Sequence, residues 1–385
     1  MLLHYNQDRM TKIRSQADRP AKMHALTSLR FFAALYVVFY HFRWGINPGS
    51  GLDRILSCGF ISVEFFFLLS GYILAIVYLR RGSTVTPRMF FLARFARIYP
   101  LYIVSVLLDI PNAVSARTVT YGLHKAIERV AVLFAASSVM MQMWIPSLKV
   151  INIPSWSLSI ETVFYISFPI LGLWMWKFNY RAVITAAIIL YAGGIVLNQW
   201  LNIRNPDHLN GLDLGSFMAI FSLGILLARW ETLHGERRNG KPTSPKMTTC
   251  VLAISCILFA YSIYVFPWLS KKNLHVGLLL APVFGAVIWS LSSSNTALVR
   301  LLSKKPLVLL GEASYGLYLL HVPIEHLFRR LHLTGSPYDY PLYLSVSIGL
   351  SILSFYAFET PARKWITDRF RVRNLETMEA ASNAQ

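Results

Sequence analysis

The sequence predicts an all-α integral membrane protein of about ten transmembrane helices with both termini cytoplasmic, and three observations carry that prediction. Hydrophobic residues make up 55% of the 385 positions and charged residues only 14%, against roughly 25% charged in an ordinary soluble domain. Apolar windows of about 20 residues, the length that crosses a hydrocarbon core, recur along the whole chain. The net charge of +19 is gathered between those windows, where cytoplasmic loops collect Lys and Arg. Together these exclude a soluble globular enzyme. They also exclude a nucleic-acid binder, which needs a solvated basic face that so apolar a chain does not offer.

The first apolar run, Ala25 to Trp44, is too long and too late for a signal-peptide core, and no small-residue cleavage site follows it. Further windows fall near 59–79, 130–147, 156–176, 182–200, 213–229, 248–268, 276–293, 308–328 and 341–358, which brings the set to ten. Arg9, Lys12, Arg14, Arg19 and Lys22 place the N-terminus inside. Arg80, Arg81, Arg88, Arg94 and Arg97 mark a second inner segment, and Arg229, Arg237, Arg238, Lys241 and Lys246 mark another. That parity needs an odd number of spans between Arg97 and Trp156. Ile98 to Ile110 therefore reads as a short interfacial or re-entrant piece, in keeping with Pro100, Asp109 and Pro111.

Arg363, Lys364, Arg369, Arg371 and Arg373 put the C-terminus inside as well. The expected division is a cytoplasmic segment at 1–24, one transmembrane domain over 25–360 and a cytoplasmic tail at 361–385, with no short repeat or low-complexity tract. Cys58, Cys250 and Cys256 are too few for a disulfide framework and lack metal-type spacing, so they are expected to serve in packing.

Ionisable groups inside a bilayer are costly and normally face a bundle interior or a wet cavity. Five stand out: Arg30, His41, Glu64, Glu161 and His321. Arg30 and His41 are eleven positions apart on one predicted helix, so they differ by about 20° in direction and about 16 Å along the axis. Each residue also has a plain structural role open to it. A histidine at a helix end is tolerated, Arg30 can snorkel to headgroups, and Glu64 can neutralise Arg30 or cap a helix contact. Glu161 can fix the Trp156 loop, and His321 can supply an interhelical bond. As a set, they supply what acyl transfer needs: a base for a hydroxyl, a group that orients it, and cationic donors for an acyl carrier.

The motifs around these residues resemble those of the membrane acyltransferase-3 family. Leu29-Arg30 through Tyr40-His41 is similar to its opening helix, an arginine and a histidine separated by ten residues. Val63-Glu64 to Tyr72 resembles the second-helix motif, Arg94 to Pro100 the basic loop, and Trp156-Ser157-Leu158 with Glu161 the tryptophan-serine-leucine signature. Ser314 to His321 and Phe358-Glu359-Thr360-Pro361 resemble the closing motifs, and all occur in family order between residues 26 and 365.

The resemblance implies a ten-helix enzyme that moves an acyl group, usually acetyl from acetyl-coenzyme A, to a hydroxyl of a glycan or secondary metabolite. Bacterial exopolysaccharide and lipopolysaccharide O-acetyltransferases of the cytoplasmic membrane are the nearest type. Some relatives add an extracytoplasmic esterase-like domain; this chain is expected to work within its membrane domain or to hand the acyl group to a separate protein. By the same carry-over, His41 is the base, Glu161 or Glu64 orients it, and Arg30 polarises the thioester or holds a coenzyme phosphate. Arg94 and Arg97 suit the coenzyme phosphates by bidentate contact, the alternative being simple inside anchoring on anionic lipid. Trp156, Ser157, Tyr315 and Tyr318 are the substrate-contact candidates, and no metal is expected.

Direct transfer and an acyl-histidine relay both remain open. So do two other functions: acylation of a macrolide-type small molecule, and transport of a lipid-linked glycan along the same buried charges.

Overall fold

The computed structural model describes residues 21–80, 86–144, 150–204, 214–239, 243–271, 276–334, 336 and 338–370. The basic segment at 1–20, the tail at 371–385, Arg81 and Lys241 lie outside the described residues. Among those described there is no strand. Ten helices are long and apolar enough to cross a membrane: α1 (Ala21–His41), α3 (Ile61–Tyr78, preceded by the short α2, Gly51–Leu56), α4 (Pro87–Tyr121), α6 (Trp156–Trp176), α7 (Tyr180–Arg204), α8 (Leu214–Arg237), α9 (Pro245–Lys271), α10 (Val276–Ser293), α12 (Lys305–Arg330) and α13 (Asp339–Ser354). The last of these runs through a π turn at Phe355–Glu359. Two shorter helices, α5 (Leu123–Ser138) and α11 (Ala297–Leu302), complete the set.

The count of ten agrees with the sequence, but one member differs. The segment 98–110, expected as interfacial or re-entrant, lies within the unbroken 35-residue helix α4, which carries both Pro100 and Pro111. Thr86 caps its start, its side-chain oxygen accepting from the Met89 amide at 3.4 Å with Pro87 in the first turn, and Gly122 ends it at φ 76°. Proline is tolerated inside membrane helices, and Tyr315 Oη ties this stretch of α4 to α12 by donating to the Ile98 carbonyl at 2.8 Å. Asp109 is buried against His326 of α12, so it marks an interhelical pair and not the edge of the membrane.

The window expected at 130–147 is correspondingly not a span. Helix α5 stops at Ser138, where the carbonyls of Ser137 and Ser138 accept from Tyr102 and Tyr99. It folds back along the second half of α4 and ends part-way down. Of the cysteines, only Cys58 is buried; Cys250 and Cys256 on α9 are exposed, so a packing role fits one of the three.

Without a hydrophobic force between helices in lipid, close van der Waals approach holds a bundle together, and small residues permit it. A methyl group at Gly71 of α3 would collide with the Phe221 carbonyl of α8, and one at Gly224 of α8 with the Leu68 carbonyl of α3. These two helices are therefore in backbone contact, and they run in the same direction, since Phe67 meets Phe217 on one side of the crossing and Tyr72 donates to Glu231 on the other. Gly311 of α12 meets the Thr27 carbonyl of α1 in the same way. Around this centre, Phe67, Phe164, Phe217 and Phe221 pack ring to ring, with Phe164 and Phe221 stacked at 4.5 Å. Outer helices such as α9 turn Ile254, Ile257 and Tyr261 outward.

Three helices position the polar interior. Thr27 and His41 of α1 meet Gly311 and His321 of α12, and Ile98 and Asp109 of α4 meet Tyr315 and His326 of α12. All three therefore run in the same direction and share two levels of buried polar groups.

Candidate active site

The first level gathers around Arg30. Its guanidinium lies within electrostatic reach of Arg97, Glu312, Glu161 and Tyr165. Glu161 accepts from Ser70 Oγ at 3.3 Å and from Tyr165 Oη one turn along α6. Arg94 donates to Tyr78 Oη at 3.2 Å, with its charge 5.6 Å from that ring. Glu359 joins from the π turn: its Oε1 accepts from Ser354 Oγ at 3.3 Å, rests against Gly316, and lies within reach of Arg97 and Arg30. Three arginines and three glutamates, 30, 94 and 97 with 161, 312 and 359, thus line one interior region.

The second level is the histidine pair. His41 Nδ1 sits 3.0 Å from His321 Nε2, with the rings stacked at 5.1 Å. His321 is fully buried and its Nδ1 is 3.1 Å from the Leu317 carbonyl. A carbonyl only accepts, so His321 Nδ1 carries the hydrogen, and in the neutral ring Nε2 is the acceptor. His41 Nδ1–H then donates to it, which leaves His41 Nε2 without hydrogen. His41 is only partly buried. The contact fixes the ring and presents its bare nitrogen, the arrangement a general base requires.

The remaining sequence candidates fall in different places. Glu64 is buried on α3 with its carboxylate against Gly277 of α10. Glu161 belongs to the Arg30 level, and the group that touches His41 is His321. Ser157 and Tyr318 are bonded to each other at 2.8 Å, and Tyr318 also donates to the Pro154 carbonyl at 3.1 Å, so they tie the start of α6 to α12. Trp156 is half-buried and packs on Phe67 and Phe217. Tyr315 is held by its bond to α4.

Sequence reasoning missed Glu312, Tyr165 and the role of Glu359 in this region, although Glu359 stands in a quoted motif. It also missed an acid–histidine pair, Asp109 with His326, for which an aspartate inside an apolar stretch was the available sign. Among the described residues, no group of three or more His, Cys, Asp or Glu is placed to hold a metal ion.

Ten apolar helices among the described residues, around two internal polar levels, define an integral membrane protein with a polar site in its interior. Residues 23–358 match the acyltransferase-3 family, described as an acyltransferase domain, and the chain belongs to that family of membrane acyltransferases. It is 34% identical over 163 residues to the acyltransferase MdmB of Streptomyces mycarofaciens, covering 40% of each chain. It is 26% identical over 373 residues to the peptidoglycan O-acetyltransferase OatA of Listeria monocytogenes, covering 88% of this chain and 56% of that protein. The O-acetyltransferase OatA of Staphylococcus aureus is 25% identical over 373 residues, covering 90% of this chain and 58% of its own length. The chain thus spans about half the length of the curated relatives it matches. No solved structure matches it.

Proposed function

We propose that this chain transfers an acyl group, acetyl, from acyl-coenzyme A to a hydroxyl of a glycan: an exopolysaccharide, a lipopolysaccharide, a lipid-linked saccharide or, from the names of its relatives, peptidoglycan. It does so in the bacterial cytoplasmic membrane, with both termini cytoplasmic and residues 25–360 forming the transmembrane domain. The observation that carries the reading is the His41–His321 contact at 3.0 Å, which leaves a bare imidazole nitrogen on the same helix as Arg30.

In this reading, the donor enters at the Arg30 level, where Arg94 and Arg97 hold the coenzyme phosphates by charge-assisted hydrogen bonds. Arg30 joins them on a coenzyme phosphate, and the pantetheine arm carries the thioester from this level to His41. The acceptor hydroxyl gives its proton to His41 Nε2, its oxygen bonds to the carbonyl carbon, and the carbon–sulfur bond breaks. The proton then passes from the imidazolium to the departing thiolate, so no net proton is consumed. His321 acts through His41 as a positioning residue.

The test is purified protein in detergent with radiolabelled acetyl-coenzyme A and glycan strands. Label recovered on the glycan, with the added mass of one acetyl group per site, supports the reading. Label that stays on the coenzyme under all acceptors contradicts it.

A further inference from the structure

We propose that the end of α12 beyond His321 is the saccharide-binding subsite, built on Asp109, Asn112, Glu325 and His326. The proposal rests on the glycan acyltransferase reading and assigns where the acceptor is held.

Asp109 of α4 is 1% exposed, and its Oδ1 accepts from His326 Nδ1 at 2.6 Å. Asn112, one turn further along α4, places Nδ2 3.2 Å from His326 Nε2. The His326 side chain is 21% exposed, so an incoming group reaches the ring edge of an imidazole locked from behind by a buried carboxylate. Glu325 is fully buried on the neighbouring position, its Oε1 accepting from Arg329, whose side chain is 60% exposed.

Two carboxylate oxygens in this cluster, Asp109 Oδ2 and Glu325 Oε2, have no hydrogen-bond partner among the described residues. The latter is 3.9 Å from His326 Nε2, beyond hydrogen-bond reach. A simple tie between α4 and α12 accounts for the Asp109–His326 bond but not for two buried acceptors without donors, which native structures avoid unless something else supplies the hydrogen. Hydroxyl donors match them. Carboxylate, amide and imidazole edges are the groups that vicinal hydroxyls satisfy, and O–H···O⁻ bonds are among the strong ones.

Position supports the same assignment. Tyr343 Oη donates to the His321 carbonyl at 3.0 Å, and its buried ring packs 5.7 Å from Phe328, so one packed side chain joins this part of α12 to the level of the histidine pair. The cluster lies on the side of His321 away from Arg30, so donor and acceptor approach His41 from opposite ends of α12.

The experiment titrates purified full-length protein in detergent with soluble peptidoglycan glycan strands and, separately, with acetyl-coenzyme A, following binding by thermophoresis. His326→Gln and Asp109→Asn should each weaken glycan binding about tenfold or more, with acetyl-coenzyme A affinity unchanged. Asn112→Ala, on the partly exposed edge, gives the same readout if the buried Asp109 variant fails to fold. Parent protein that binds glycan, with His326→Gln and Asn112→Ala binding equally well, overturns the subsite alone. Lower thermal stability with unchanged glycan affinity also overturns it, assigning the cluster to helix packing. Parent protein that binds no glycan contradicts both the acyltransferase reading and this one.

Discussion

His41 and His321, 280 residues apart in sequence, meet ring nitrogen to ring nitrogen at 3.0 Å. Because the Leu317 carbonyl fixes which nitrogen of His321 bears hydrogen, the contact also fixes the tautomer of His41. In the proposed mechanism this relationship separates the base, His41, from the group that holds it, His321.

His321→Gln keeps an acceptor for His41 Nδ1–H, whereas His321→Leu removes it. The Gln variant should retain part of the transfer activity and the Leu variant less, both losing less than the ~10² to 10⁴ expected when a general base is deleted. Single-turnover rates of the two variants check this; equal, parental rates would remove His321 from the mechanism.

Arg97 shares the Arg30 region, while Arg94 is already engaged by Tyr78. Arg97→Ala should raise the Michaelis constant for acetyl-coenzyme A by about one to two orders of magnitude, from charge-assisted contacts of about 1.5 to 3 kcal/mol. Arg94→Ala should do so by less, and Arg30→Lys should leave partial activity because the planar fork is lost. If neither alanine variant changes donor kinetics, these arginines serve topology alone.

The path of α4 separates the sequence expectation from the structure. If 98–110 lay at the interface and 130–147 crossed, His124 and Glu236 would share one face of the membrane. With α4 as the crossing helix, they lie on opposite faces. After Cys250 and Cys256 are replaced by Ser, a maleimide that does not permeate should label His124→Cys, whose native side chain is 92% exposed, from outside and Glu236→Cys only after lysis. Labelling of both from one side would restore the earlier path. The prediction places Arg117, Lys125 and Arg129 outside, against the usual bias of basic residues.

Gly71→Leu should destabilise the bundle by about 1 to 3 kcal/mol, the range for overpacking a well-packed site, because its side chain would enter the Phe221 backbone. Thermal melting in detergent reads this directly. An unchanged melting temperature would mean that α3 and α8 do not approach as closely as described.

Most of the fold is legible in the sequence because hydropathy over about 20 residues reports the membrane directly. Helix α4 departs from the sequence expectation for a physical reason: Pro100, Asp109 and Pro111 each argue against a span when considered alone, whereas contacts with α12 support this stretch as a continuous buried helix. Tyr315 bonds beside Pro100, and His326 pairs with Asp109. The common direction of Arg30 and His41 follows from helical period, since that is a property of one segment. What His41 touches does not, because a pairing across 280 residues leaves no local pattern. For the same reason Glu161 offers no sign in sequence that Ser70 and Arg30 lie near it, whereas Tyr165, one turn along the same helix, was open to the helical period.

The central claim is that His41 Nε2 is the base, and single-turnover acetyl transfer by His41→Gln tests it most directly. The substitution replaces a partly buried imidazole with a neutral amide, so insertion and donor binding should be retained while the transfer rate falls by about 10² to 10⁴. Moving the histidine with Tyr40→His and His41→Tyr turns it by about 100° and should not restore the rate. Transfer by His41→Gln at near-parental rate would contradict the account.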